Sequence, residues 1–297
     1  MVKLLGDEYA FSPNYLEIDG NKYHYLDEGD KNAPVLLMVH GNPTWSFYYR
    51  KLVRAFSDSH RVIVPDHIGC GLSDKPQGYS YRLRNHIDNL KKLIDHLQLK
   101  DITLIVHDWG GAIGMGAAVD NPKLFKQFVI FNTAAFFVPR LPLRIQMCRV
   151  PVLGSFLVRG LNGFSLAALW FATSRHNRFT KAVRKGYVAP YNSWENRIAI
   201  HAFVKDIPMH ESHPTRKTLN HIESGLTAFS KHPMLIIWGA DDFCFTKRHF
   251  VPEWKKRFPE ADVHILENTG HYVVEDAHEF IVPLMEKFLR EKGSSHD

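Results

Sequence analysis

Four short stretches each place a polar, reactive side chain behind an apolar run: "HGNP" at 40–43, "HDWGG" at 107–111, "WGADD" at 238–242 and "TGHY" at 269–272. Asp108 follows "TLIVH" and precedes the small-residue segment "GGAIGMGAA", so it stands where a strand turns sharply into a helix. Gly110 and Gly111 leave room for that turn to expose its side chain. An N-cap aspartate would explain a carboxylate here, but not the polar residues of the other three turns. A carboxylate is already ionised at neutral pH and attacks without first losing a proton. It can displace a leaving group from saturated carbon to give an enzyme ester, which a histidine then hydrolyses by activating water. Alkyl halides, epoxides and β-lactones suit such a nucleophile. Peptides and ordinary esters suit it less, because attack on them would give an anhydride.

His271 lies beyond the last apolar run and is the expected general base. Asp242 is expected to accept a hydrogen bond from it and fix its tautomer, with the neighbouring Asp241 as the alternative. Asn132, at the end of the sixth expected strand, cannot carry the charge an acid there would need. The backbone N–H groups of Asn42 and Trp109 would form an oxyanion hole. Their side chains carry further N–H donors for a departing anion. A turn asparagine and a packed tryptophan explain the same two residues without chemistry. No cofactor is expected, and Cys70, Cys148 and Cys244 lack the spacing of a metal site.

These side chains need a scaffold that brings strand ends together. "YLEIDGNKYHYLDEG" alternates around Asp19-Gly20-Asn21 and predicts an antiparallel hairpin. "APVLLMVHGNP", "RVIVPDHIG", "DITLIVHDW", "KQFVIFN", "HPMLIIWG" and "ADVHILENTG" are short apolar runs that suit strands of a parallel sheet buried on both faces. "RNHIDNLKKLIDHLQL" puts Ile87, Leu90, Leu93, Ile94 and Leu97 on one helical face. "HEFIVPLMEKFLREK" predicts a final helix despite Pro283, and another helix is expected from near Thr44. The alternation predicts a doubly wound, mostly parallel eight-stranded α/β sheet. Nucleophile, acid, then histidine is also the chain order of the α/β-hydrolase triad. Residues 1–135 and 227–297 are expected to form this core. Residues 136–226 lose the strand pattern and are expected to form an inserted helical cap.

The chain has 297 residues, 45% of them hydrophobic, enough for one large domain with an insertion. The N-terminal "MVKLLGDEYAFSPNY" has no apolar leader, and no apolar stretch reaches the length of a membrane span. With three unpatterned cysteines, this predicts a soluble, cytoplasmic protein. The net charge of +6 is uneven: residues 137–220 carry 13 Lys/Arg against 3 Asp/Glu, a local +10, leaving −4 elsewhere. A solvated basic face that pairs with the rest of the chain is the plainer reading. Attraction to anionic lipid or to an acidic partner is the sharper one. No motif accompanies the charge to imply nucleic-acid binding.

"HGNPTWSFYYR", "DHIGCGLSDKP", "HDWGG", "WGADDFCF" and "NTGHYVVED" together resemble the haloalkane dehalogenase branch of the α/β-hydrolase superfamily. Val106 stands where the better-known G-x-S-x-G elbow has glycine, which is a departure. The resemblance implies Asp108 as nucleophile, His271 as base, Asp242 as acid, and Asn42 with Trp109 as the leaving-group pair. The position of the acid resembles the third dehalogenase subfamily. "DHIGCGLSDKP" and "PTWSFYYR" further resemble the β-lactone decarboxylases of bacterial long-chain olefin biosynthesis. That family turns a cis-β-lactone with two alkyl chains into a cis-alkene and carbon dioxide, which implies an apolar substrate and association with the pathway's ligase and reductase. Phe136, Phe137, Leu141, Leu143, Trp170 and Phe171 would suit alkyl chains, or plain core. A hydrolytic haloalkane dehalogenase is the alternative. An epoxide hydrolase, with Tyr187 and Tyr191 as proton donors, and an inert binding protein are weaker ones.

Overall fold

The computed structural model describes residues 5–293. The first four residues of the N-terminal stretch and the last four of the polar tail lie outside it. Strands β1 (Asn14–Ile18) and β2 (Asn21–Glu28) form the expected hairpin, closed by Asp19 and Gly20 at φ 51° and 75°. Two consecutive residues at positive φ give the turn twist that antiparallel strands require. Six more strands follow: β3 (Val35–Val39), β4 (Arg61–Pro65), β5 (Ile102–Asp108), β6 (Phe125–Thr133), β7 (Met234–Gly239) and β8 (Asp262–Leu266).

The sheet order is β1-β2-β4-β3-β5-β6-β7-β8, and β2 alone runs antiparallel to both its neighbours. Every residue of β3, β5 and β7 is buried. Their continuous apolar runs follow from helices covering both faces, and each buried aliphatic side chain contributes about 1.5–3 kcal/mol. β8 departs from that expectation. As an edge strand it leaves Asp262 and Ile265 exposed, since among the described residues no strand pairs with its free side.

The core helices before the insertion are α1 (Arg50–Phe56), α2 (Leu83–His96) and α3 (Trp109–Asp120). On α2, Ile87, Leu90, Leu93 and Ile94 are buried on one face, as the sequence predicts, with Leu97 half-buried beyond them. A 3-10 turn, Ser46–Tyr49, occupies the place where a helix was expected from Thr44, so α1 starts at Arg50.

Between β6 and β7 the chain forms only helices and loops: α4 (Leu143–Met147), α5 (Leu153–Ser155) leading into a π-helical turn (Phe156–Gly160), α6 (Gly163–Phe171), α7 (Lys181–Val188), α8 (Ile198–Lys205) and α9 (Pro214–Gly225). This helical insertion is the cap. The core closes with α10 (Lys247–Arg257) and α11 (Val273–Gly293). The last helix begins five residues earlier than the sequence pattern indicates. It kinks at Ala277, whose φ of −141° is not helical. One face of the sheet packs against α2, α3 and α10, the other against α1 and α11. The parallel strands therefore deliver their carboxyl ends to a single rim under the cap, where such sheets bind ligands.

Candidate active site

β5 breaks into α3 at Asp108, whose φ and ψ of 52° and −128° lie in a region that non-glycine residues seldom occupy. The turn lifts the carboxylate off the end of the sheet. Its Oδ1 accepts the backbone N–H of Asn42 at 2.6 Å, and its Oδ2 lies 3.5 Å from His271 Nε2. The approach is so close that a Cβ on Gly41 would collide with the carboxylate. The departure at Val106 has a local explanation. Gly114, one turn into α3, faces it, and a Cβ there would come within 2.7 Å of Val106 Cγ1. The space that glycine usually yields on the strand is yielded here by the helix.

His271 is carried by the loop between β8 and α11. Its Nδ1 lies 2.8 Å from Asp242 Oδ2. The other oxygen, Oδ1, accepts the backbone N–H groups of Cys244 and Phe245 at 2.6 and 3.0 Å, a turn that faces Asp242 inward. Asp241 points out, is exposed and accepts the Ser174 hydroxyl at 3.0 Å. Of the two aspartates it is Asp242 that faces the histidine. Asn132 is not idle: its Nδ2 donates to Asp242 Oδ2 at 2.9 Å and its Oδ1 accepts Gly239 N–H at 2.7 Å.

Burial works against a charge on His271, but Asp242 and Asp108 together outweigh it and push its pKa up to about 10. Burial likewise opposes the charge on Asp108. The hydrogen bond and charge of His271, with the N–H of Asn42, overcome it and hold the carboxyl below the ordinary carboxylate range. The resting site thus favours the protonated form of the imidazole. Esterifying Asp108 would remove its charge and with it part of what keeps His271 protonated. Cys244 lies beside this site, but burial and the two carboxylates push its thiol well up, so it stays neutral.

Two apolar cavities meet at Asp108. One encloses about 140 Å³ and is walled by Trp109, Phe136, Phe137, Leu141 and Leu219. The other encloses about 240 Å³ and reaches Leu157, Ala167, Ala168 and Phe171, with His271 in its wall. Asn42, Asp108, Ile145, Phe164 and Cys244 border both. Of the six residues expected to suit alkyl chains, Leu143 and Trp170 are instead exposed at the surface.

Asn42 offers its backbone N–H to Asp108, while its Nδ2 donates to the Ile200 carbonyl of α8 at 3.1 Å. Trp109 packs against Phe203. Neither Tyr187 nor Tyr191 reaches the cavities. Tyr187 donates to Glu275 at 3.0 Å and Tyr191 to the Thr44 carbonyl at 3.1 Å, so neither hydroxyl is placed to protonate an opening epoxide. Among the described residues no cluster of three or more His, Cys, Asp or Glu side chains could hold a metal ion.

Residues 34–277 match the sequence pattern of the alpha/beta hydrolase fold. The chain belongs to this family. Within the α/β-hydrolases it lies in the haloalkane-dehalogenase-like branch. It is 48% identical to a cis-3-alkyl-4-alkyloxetan-2-one decarboxylase of Shewanella oneidensis, over 95% of this chain and 89% of that one. It is 31% identical to haloalkane dehalogenase 2 of Mycobacterium tuberculosis, over 94% of this chain and 96% of that one. The likeness to the β-lactone decarboxylase is thus the greater of the two. A loop variant of a haloalkane dehalogenase from Bradyrhizobium elkanii superposes with a TM-score of 0.86 at 24% identity, covering 96% of this chain and 98% of that one, which bears on the fold alone.

Several residues of this α/β-hydrolase site carry no signal in the sequence. His107 Nε2–H donates to the His271 carbonyl at 2.8 Å, and burial lowers its pKa to about 3, so it stays neutral. Phe245 stacks on the His271 ring at 5.6 Å. Asp276 gathers the loop of His271 and the cap. It accepts the N–H groups of Gly270 and Ser174, each at 2.8 Å, that of Arg175 at 3.2 Å, and the Thr173 hydroxyl. Beside it, Tyr272 N–H donates to the Ala172 carbonyl at 2.6 Å. The "VVED" of the last motif contains Asp276, yet spacing alone does not reveal that it reaches the cap.

Proposed function

We propose that this enzyme converts a cis-β-lactone bearing two alkyl chains into a cis-alkene and carbon dioxide, with Asp108 as nucleophile. The observation that carries the reading is the pair of apolar cavities that meet at Asp108, one for each chain of a disubstituted ring. The greater likeness to a named decarboxylase supports it.

Asp108 Oδ1 is held by Asn42 N–H, so Oδ2, which faces His271 across 3.5 Å, is the atom that attacks. It bonds to the saturated ring carbon that carries the ring oxygen and breaks the bond between that carbon and the ring oxygen. This gives an enzyme ester and a free substrate carboxylate. Loss of carbon dioxide then sends the C–C bonding pair into the new double bond, and the ester C–O pair returns to Asp108. Inversion in the first step and departure from opposite faces in the second preserve the cis geometry. The cycle consumes no water and regenerates the nucleophile. Asn42 and Trp109 would hold the carboxylate as it forms, and the apolar walls would keep water away.

A second reading has its own support. His271 Nε2, 3.5 Å from Asp108 Oδ2 with Asp242 behind it, is placed to activate water on an alkyl ester, as a haloalkane dehalogenase requires. We take residues 136–226 as the cap and 1–135 with 227–297 as the core. Three free cysteines favour a cytoplasmic setting, and the olefin pathway's ligase and reductase are the partners this reading implies.

The test is incubation with a synthetic cis-β-lactone carrying two alkyl chains, with alkene measured by gas chromatography. Alkene that disappears in Asp108→Ala, by at least about 10⁴-fold, is the expected result. Halide released from 1-bromobutane with no alkene would give the function to the dehalogenase reading.

A further inference from the structure

Among the described residues, eleven of the fourteen large hydrophobic side chains that are exposed lie between Leu143 and Trp194, fewer than a fifth of the chain. They include Leu143 at 73% exposure, Val152 at 83%, Phe156 at 55% and Trp170 at 58%. Scattered apolar residues on a surface need no explanation; a concentration of them does. These belong to neighbouring elements. Arg144 of α4 lies over the Phe171 ring of α6, Arg184 of α7 over Trp170, and Phe156 and Trp194 both flank Gly160. Val152, the most exposed, holds a φ of 63°, which a β-branched residue rarely adopts.

The charge of the same segment is one-sided. Between Asp120 and Glu195 the sequence has no Asp or Glu and eleven Lys or Arg. Arg175 and Arg178 reach a carboxylate, Glu279 of α11. Arg144, Arg159 and Arg184 lie over aromatic rings instead, and Lys181 and Lys185 are exposed. The larger cavity also reaches this face, because Arg144 and Phe171 are at once exposed and part of its wall.

We propose that this face of the cap docks on an anionic phospholipid surface. Apolar side chains with tryptophan among them, ringed by cations that outnumber the carboxylates Glu195 and Glu279 at its margins, match the boundary between acyl chains and acidic headgroups. A second copy of the chain would bring cations against cations. Nucleic acid would satisfy the charge but leave the aliphatic side chains in water. Among the described residues no helix is long and apolar enough to cross a membrane, so the attachment is peripheral. It does not depend on which reaction Asp108 performs.

Vesicle flotation of the full chain tests it. One set of vesicles is phosphatidylcholine, the other phosphatidylcholine with roughly one-third phosphatidylglycerol. Partition onto the anionic vesicles is expected to exceed that onto the neutral ones by at least about tenfold and to fall as salt is raised. Val152→Glu with Phe156→Glu, and separately Lys181→Glu with Lys185→Glu, should each weaken it by at least about tenfold, with circular dichroism unchanged. No partition, equal partition onto both vesicles, or folded variants that bind undiminished would overturn the proposal. So would concentration-dependent self-association without vesicle binding, which would assign the face to a second copy. The wild-type comparison decides the matter even if a variant fails to fold.

Discussion

The strand ends and the cap wall the same cavities, yet they treat charge in opposite ways. At the strand ends both oxygens of Asp108, Asp242 and Asp276 have neighbours that donate or carry a proton, supplied by backbone or by buried side chains. In the cap, carboxylates are absent from 136 to 194 and cations rest on aromatic rings. The first arrangement fixes a few atoms to within hydrogen-bonding tolerance. The second offers apolar area that tolerates many occupants. The difference separates what the enzyme does from what it does it to: reactivity resides in the rim of the sheet, while substrate size and access reside in the insertion.

The strongest way to break that division is to disable one reaction and keep the other. His271→Phe removes the base but leaves Asp108 and the cavities. With a bromoalkane the variant should attack once and stall, and intact mass should show an alkylated protein, with turnover lowered by about 10³-fold or more. With a β-lactone the loss should be clearly smaller, because no water is activated. Equal losses on both substrates would place His271 in the alkene-forming steps as well.

A second variant set sharpens the role of the rim. Asp242→Asn should cost about 10²–10³-fold in kcat, since His271 would lose its fixed tautomer. Asn132 touches the same oxygen that faces His271. Adding Asn132→Asp should therefore return about tenfold of that loss, measured as kcat on any accepted substrate. No recovery would mean that the carboxylate must come from β7.

The smallest effect expected is structural. Gly114→Ala should lower stability by about 1–3 kcal/mol through overpacking against Val106. Val106→Gly should restore most of it in the double variant, read as Tm by calorimetry.

How far the sequence discloses this molecule follows the same division. The elbow at Asp108, the Asp19-Gly20 turn and the apolar runs of the central strands are local signals, and each appears where the pattern puts it. The choice of Asp242 over Asp241 is not local. It depends on the inward turn made by Cys244 and Phe245 and on β6 lying beside β7, which brings Asn132 alongside. In the cap, residue type misleads: Trp170 and Leu143 look like cavity lining but face outward, while Tyr187 and Tyr191 look like proton donors but tie the cap down. A short helix can turn either face inward. The deciding partners lie more than 80 residues away, Glu275 for Tyr187 and Thr44 for Tyr191.

Asp276 has a mechanical consequence. One carboxylate grips both the loop of the histidine and the cap backbone at residues 173–175, so the roof is bolted to the catalytic floor. Lifting the roof as a rigid lid would drag His271 out of register with Asp108. Traffic to and from the nucleophile must then pass between the rafters, past Arg144 and Phe171, with the machinery below held still.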